Sequence, residues 1–144
     1  MELNMKNEEK QALLERLGRL LINDIRDSAL SHFTDLMSGK MNDATSKSLC
    51  AEYCKLDKAS VRTLERLMMM MADACFVRCL IFFDENEISI PMVAPSGESI
   101  DVRRLSGGLV GDIYSDNGWI AKYSRFQPPQ DMREWYGLSK ARNT

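Results

Sequence analysis

The chain lacks the sequence signatures of the common enzyme classes. Its 144 residues include one histidine, His32, and contain no GxSxG, HExxH or GxxxxGK[ST] motif. The glycines at 107, 108 and 111 match no phosphate-loop spacing, and the stretch from Asp84 to Asn86 lacks the glycine and the later ligands of a calcium loop. We therefore predict a non-enzymatic protein with no catalytic residues, no metal and no cofactor, in which His32 is structural.

Signals for export and for membrane insertion are also missing. The segment from Met1 to Lys10 is polar and has no apolar core of a signal peptide. The most apolar stretch, residues 67–83, contains Asp73 and Arg78, and charges would fall inside any window of about 20 residues, the length that a membrane span needs. We expect no membrane association, a cytoplasmic location and reduced cysteines.

The four cysteines form two pairs, Cys50 with Cys54 and Cys75 with Cys79. This twin CxxxC spacing resembles that of small chaperones of the mitochondrial intermembrane space, whose helical hairpin is closed by two disulfides. Here the pairs lie at unequal distances from the turn at Asp57, and the mismatch of roughly 20 Å along the helices exceeds disulfide reach. The same offset argues against a four-cysteine zinc site. We expect cysteines buried in the core.

The composition predicts one globular domain of the α+β class. Hydrophobic residues make up 44% and charged residues 28% of the chain, which is long enough to bury a sizeable core. We assign residues 1–144 to a single domain, with a helical part at about 7–84, a β-hairpin part at about 87–126 and a C-terminal tail at about 127–144. The expected architecture is a helical N-terminal half packed on a small antiparallel sheet.

Helical spacing dominates the N-terminal half. Apolar residues recur every three or four positions from Leu14 to Met37, which predicts one long helix or two, with Asp27 able to cap the second. Residues 44–54 predict a short helix, and Asp57 caps a long one over 58–84. Because this helix is apolar on nearly every side, we expect it to be the buried central helix. Asp73 and Arg78 should then find charged partners inside the domain.

After Asn86, the spacing of the apolar residues changes from helical to the alternation that is typical of strands. Ile88, Ile90 and Met92 alternate with polar or small residues, and a Pro-Ser-Gly turn at 95–97 leads to a second such run, so a β-hairpin is predicted. Pro91 places the first strand at an edge. Asn117–Gly118 favours a second hairpin over 110–125. The alternative is a short helix after Asp116, with Trp119, Ile120 and Tyr123 on its inner face.

Charge is distributed unevenly along the chain. Residues 84–118 carry seven acidic side chains against two arginines, a net charge of −5, whereas residues 119–144 carry a net charge of +3. The acidic residues that we predict to bind a partner are Asp84, Glu85, Glu87, Glu98, Asp101, Asp112 and Asp116. Trp135 and Tyr136 join them as aromatic anchors if the tail exposes them, although they could equally hold the tail against the domain.

This surface leads to a functional hypothesis. A small cytoplasmic domain with an acidic surface can occlude the basic cleft of a toxin or nuclease, as immunity proteins and antitoxins do. The alternative is a DNA-binding regulator with a helix-turn-helix at 46–67 that presents Arg62, Thr63 and Arg66. The acidic middle of the chain argues against nucleic acid. A homodimer would bury the methionines at 68–71 if the first helix and the sheet leave them uncovered.

Overall fold

The α+β class predicted from the sequence is confirmed in the computed structural model, which describes residues 6–86 and 88–136. The helices and strands, in chain order, are α1 (Asn7–Leu20), a π-helical segment (Leu21–Arg26), α2 (Asp27–Met37), α3 (Ala44–Tyr53), α4 (Lys58–Glu85), β1 (Pro91–Val93), β2 (Ser99–Asp101) and α5 (Trp119–Tyr123). Short 3-10 turns cover Val102–Arg104, Leu109–Asp112 and Gln130–Met132. No helix among the described residues has both the length and the apolar run needed to cross a bilayer.

The first two helices form one continuous rod with a π-helical segment in the middle. Asp27 does not cap a second helix, because the backbone runs through it in helical conformation and its side chain is buried. A π-helical segment inserts an extra residue into the helix and turns the following side chains to a new direction. Here that change directs Arg26 and Asp27 into the interior.

Capping carboxylates begin the next two helices. The side chain of Asp57 accepts a hydrogen bond of 2.8 Å from the backbone N–H of Ser60, which confirms the predicted start of α4. Asp43 caps α3 in the same way, with 2.9 Å to the N–H of Ser46. These bonds satisfy N–H groups that have no partner within the helix, so both helix starts follow from local sequence.

The expectation that α4 is buried on all sides is wrong. Its buried residues are Asp73, Phe76 and Leu80, all in its C-terminal half and on one face. The N-terminal half has no buried residue, and Leu67, Met71 and Phe82 are more than half exposed. The reason is that the elements described in residues 6–86 and 88–136 are too few to surround a 28-residue helix, so they cover only one face.

The predicted hairpin is confirmed and forms the only sheet of the described residues. β1 and β2 pair antiparallel, with Met92 opposite Ile100, and Gly97 in the connecting turn has a φ of +87°, which favours glycine. Pro91 opens β1, where its missing N–H costs no ladder bond. Ile100 and Val102 point into the core.

The second hairpin, favoured over 110–125, is wrong, and the alternative short helix is correct. Residues 109–112 form a 3-10 turn and residues 119–123 form α5. Trp119 and Ile120 are buried with α5 against α1, where the indole of Trp119 covers Gly18. The need to bury these two neighbouring side chains in one core outweighs the turn preference of Asn117–Gly118, since a strand would point them to opposite faces.

The prediction that the cysteines are buried in the core is also wrong. Cys54, Cys75 and Cys79 are exposed and Cys50 is half-buried, and all four are free thiols. Cys50 donates to the carbonyl oxygen of Met37 at 3.2 Å. Burial raises the pKa of the Cys50 thiol, and the neighbouring Cys54 adds to this effect. The cysteines of α4 are exposed because they lie on the uncovered face of that helix.

Gly18→Ala tests the contact between α1 and α5. A Cβ atom at this position would lie 2.5–2.6 Å from atoms of the Trp119 ring, which is closer than packed atoms approach. Alanine favours a helix over glycine by about 1 kcal/mol, but overpacking of this kind costs about 1–3 kcal/mol or more. We expect a net loss in the free energy of unfolding, measured by urea denaturation.

The matched control for this variant is Gly107→Ala, because a Cβ atom there meets nothing within 4 Å. Its stability should stay within about 0.5 kcal/mol of the wild type. A Gly18→Ala variant that is as stable as this control would show that Trp119 does not pack against α1.

Candidate protein-binding site

A buried ionic network connects the first helical rod, α4 and the C-terminal segment. The Nε of Arg26 donates to Oδ1 of Asp73 at 2.5 Å, and Nη2 donates to Oδ2 of the same carboxylate at 3.4 Å. Tyr136 donates its hydroxyl hydrogen to Asp73 as well. The side chains of Arg26 and Asp73 are fully buried, so these contacts confirm that Asp73 finds its partner in the first helical rod. Arg78, in contrast, is exposed.

The second half of the network holds residues 124–126. Nη1 of Arg26 donates to Oγ of Ser124 at 2.7 Å and to the carbonyl oxygen of Phe126 at 3.2 Å. Asp27 accepts from the hydroxyl of Ser124 at 2.7 Å and from the backbone N–H of Arg125 at 2.6 Å. Nη1 of Arg26 also lies 3.1 Å from Oδ1 of Asp27, and Nε of the exposed Arg125 lies 3.8 Å from Oδ2 of Asp27. The two buried carboxylates are therefore compensated by the buried guanidinium of Arg26, by the exposed one of Arg125 and by several neutral donors.

The electrostatics of the network follow from burial and charge. Burial by itself lowers the pKa of Arg26, but the hydrogen bond and the negative charge of Asp73 outweigh it, so the pKa is raised. Burial, together with the hydrogen bond to Asp73, raises the pKa of Tyr136 far above its ordinary value. Burial also raises the pKa of Tyr114 to about 12. Arg26 therefore stays charged, and Tyr114 and Tyr136 stay neutral, near neutral pH.

An open groove lies between α2, the N-terminal half of α4 and the segment that the network holds. Its volume is about 880 Å³. The floor is apolar and consists of Leu30, Phe33, Met69, Phe126 and Pro129. The groove exists because α4 extends past the core while residues 126–131 form the opposite wall.

Polar side chains of both signs surround this floor. Arg62, Glu65 and Arg66 come from α4, and Asp131 comes from the C-terminal segment. Nη1 of Arg66 lies 3.0 Å from Oδ2 of Asp131, and both side chains are about half exposed. An apolar floor inside a polar rim is the usual arrangement of a protein-binding surface.

The acidic residues predicted to bind a partner belong to separate elements. Asp84 and Glu85 are exposed at the end of α4. Asp116 is exposed, with Oδ1 at 3.9 Å from Nη2 of Arg133. Asp101 is bound by Arg103, whose side-chain and backbone hydrogen bonds hold the pKa of Asp101 well below its ordinary value. Glu87 lies outside the described residues.

Glu98 and Asp112 are half-buried, and each has one carboxylate oxygen that accepts no hydrogen bond from the described residues. These two carboxylates are therefore less accessible to a partner than the sequence pattern indicated.

Within residues 6–86 and 88–136, no cluster of three or more His, Cys, Asp or Glu side chains is arranged to hold a metal ion.

The two aromatic residues near the end have different environments. Trp135 is 50% exposed, whereas Tyr136 is 1% exposed and belongs to the core. Tyr136 holds the tail against the domain, which is the alternative that the sequence left open. It is therefore not available as a surface anchor. The rings of Tyr114, Trp135 and Tyr136 contact one another at centroid distances of 4.7–6.0 Å.

The packing around 46–67 lends no support to a helix-turn-helix. Of the four residues that this motif would bury, Ala51 and Leu56 are exposed and Val61 and Leu64 are half-buried. Helix α3 packs against α2. Arg62, Thr63 and Arg66 line the groove. His32 is exposed on α2. The sequence analysis did not predict the groove. The available signal was the uncharged methionine stretch at 68–71, close to Arg62 and Arg66.

Comparison with protein-family models, with curated proteins and with solved structures finds no match for this chain. Its function therefore has to be inferred from the geometry of its own surfaces.

Arg26→Met tests the ionic network. The substitution leaves the buried carboxylate of Asp73 without its cation and leaves Asp27 with only the exposed Arg125 at 3.8 Å, and breaking a buried pair costs about 3–5 kcal/mol. We expect that loss in the free energy of unfolding, measured by urea denaturation. Arg16→Met, at an exposed position of α1, should change stability by less than about 0.5 kcal/mol. Equal effects of the two substitutions would contradict a compensated buried network.

Alkaline pH tests the contact between Tyr136 and Asp73. A tyrosine in the unfolded chain ionises near pH 10, whereas the folded state raises the pKa of Tyr136. The stabilisation is therefore complete below about pH 10 and is lost as pH rises toward the folded value. Between about pH 9 and about pH 11, we expect Tyr136→Phe to lose less unfolding free energy than the wild type. Parallel losses would mean that Tyr136 ionises as freely as in the unfolded chain.

Proposed function

We propose that this protein acts by binding another protein, without chemistry of its own, and that the groove between α2, α4 and the C-terminal segment receives the partner. The observation that carries the proposal is the apolar floor of a cavity of about 880 Å³ that the domain leaves open to solvent. Exposed apolar surface costs free energy in water, so its presence in a folded domain favours a role in binding.

The shape of the groove favours a helical segment as the occupant. One wall is the long helix α4, and the groove is lined by apolar side chains from Leu30 and Phe33 to Phe126 and Pro129. An amphipathic helix inserts side chains spaced three or four residues apart into such grooves. Arg62, Glu65 and the pair of Arg66 with Asp131 would contact the polar flanks of that helix.

A narrower form of the proposal is inhibition of a basic partner, in the manner of immunity proteins and antitoxins. Its support is the exposed carboxylates of Asp84, Glu85 and Asp116, together with the net charge of −5 in residues 84–118. Such charges accelerate encounter with a basic protein and make the association rate depend on salt, while buried apolar contacts supply most of the affinity.

Site-specific photo-crosslinking in the native cells tests the proposal. We expect a photoreactive amino acid at Thr63, in the groove, to capture one partner protein, and the same amino acid at Lys47, on the exposed side of α3, to capture none. Ala59→Trp fills the edge of the groove and should abolish capture, whereas Ala51→Trp, at an exposed alanine of α3, should preserve it.

Identical adducts from positions 63 and 47, or capture that survives Ala59→Trp, would count against the groove. For the narrower form, Asp84→Lys combined with Glu85→Lys should slow association with the captured partner and reduce its salt dependence. An unchanged association rate would leave the groove proposal intact but would rule out a basic partner that binds through these carboxylates.

A further inference from the structure

The outer face of α4 is an exposed apolar stripe. Asp73, Phe76 and Leu80 define the buried face, and the opposite side of the helix carries the residues that we name the outer stripe, Leu64, Leu67, Met71, Cys75, Cys79 and Phe82. Leu67, Met71 and Phe82 are 53%, 59% and 53% exposed, and both cysteines are exposed. The stripe runs along most of the helix, for about five turns.

The charged residues of the same stretch largely avoid the stripe. Glu65 and Arg66 line the groove and Asp73 is buried, which leaves Arg78 as the one charged side chain within the stripe, one helical turn from both Cys75 and Phe82. Depletion of charge at the centre of an exposed apolar surface is the compositional mark of a protein interface.

The area of the stripe is enough for a dimer. A large side chain that is half exposed leaves roughly 100 Å² in solvent, since such side chains bury about 150–250 Å² in full. Together with the cysteines, Leu64 and the adjoining Ile25, which is 53% exposed, each copy presents on the order of 500 Å². Two copies would then bury about 1,000 Å², the level at which specific interfaces begin.

We infer that the outer stripe is a self-association surface, on which α4 of a second copy packs antiparallel. The argument is the spacing of the stripe, which is 3, 4, 4, 4 and 3 residues and reads the same in both directions. A two-fold axis near position 73 therefore places Leu64 opposite Phe82, Leu67 opposite Cys79 and Met71 opposite Cys75. A two-fold interface requires a surface that is complementary to itself, and this spacing provides it.

This inference does not depend on the proposed binding groove. The groove uses the inner side of the N-terminal half of α4, whereas the stripe lies on the outer side. A groove variant such as Ala59→Trp should therefore leave the oligomeric state unchanged.

Sedimentation equilibrium of the full chain tests the dimer. We expect twice the chain mass of 16.4 kDa at high concentration and dissociation on dilution. Met71→Glu, which places like charges across the centre of the interface, should weaken the dimer at least tenfold, while Leu49→Glu, at an exposed leucine of α3, should not. Unchanged circular dichroism and unfolding midpoints would establish that both variants are folded.

Disulfide trapping tests the register with a nearly native chain. In Leu67→Cys, the new thiol lies opposite Cys79 of the second copy, whereas within one chain these positions are roughly 18 Å apart and cannot be bridged. Mild oxidation should give a dimer whose peptide map contains the 67–79 link. A monomer at every concentration, a dimer insensitive to Met71→Glu, or a link between two copies of position 67 would each overturn the inference.

Discussion

The guanidinium of Arg26 is the constraint on which the rest of the structure depends. It contacts α4 through Asp73 and the C-terminal segment through Ser124 and the carbonyl of Phe126. Removing a charged side chain from water is expensive, and it persists only when its hydrogen-bonding capacity is used. Because Arg26 and these partners belong to three parts of the chain, the network specifies how the parts fit together.

The π-helical segment and the network depend on each other. A regular helix over residues 7–37 would turn Arg26 and Asp27 by a different angle, and the extra residue of the π segment aligns both with the interior. Tyr136 completes the arrangement from the other end of the chain by donating to Asp73. The same contacts hold residues 124–136 in place and so form the second wall of the groove.

The exposed surface of α4 is the consequence of this arrangement. The fully buried residues of the helix, Asp73, Phe76 and Leu80, all lie in its C-terminal half and on one face. The inner side of the other half is left to the groove, and the outer face is left to the stripe. A monomer gains nothing from apolar side chains in water, which is why both surfaces point to binding.

Local signals in the sequence determined the starts of α3 and α4, the class of the fold and the first hairpin. Asp57 caps α4 and the Pro-Ser-Gly turn closes the hairpin through contacts within a few residues, so their outcome is independent of the remaining chain. Only the tertiary structure decided the rest. Residues 119–123 form a helix in which Trp119 packs against Gly18. Cys75 and Cys79 are exposed because no element of the described residues covers them. Partners distant in sequence, such as Arg26 and Tyr136, meet through packing that no local pattern encodes.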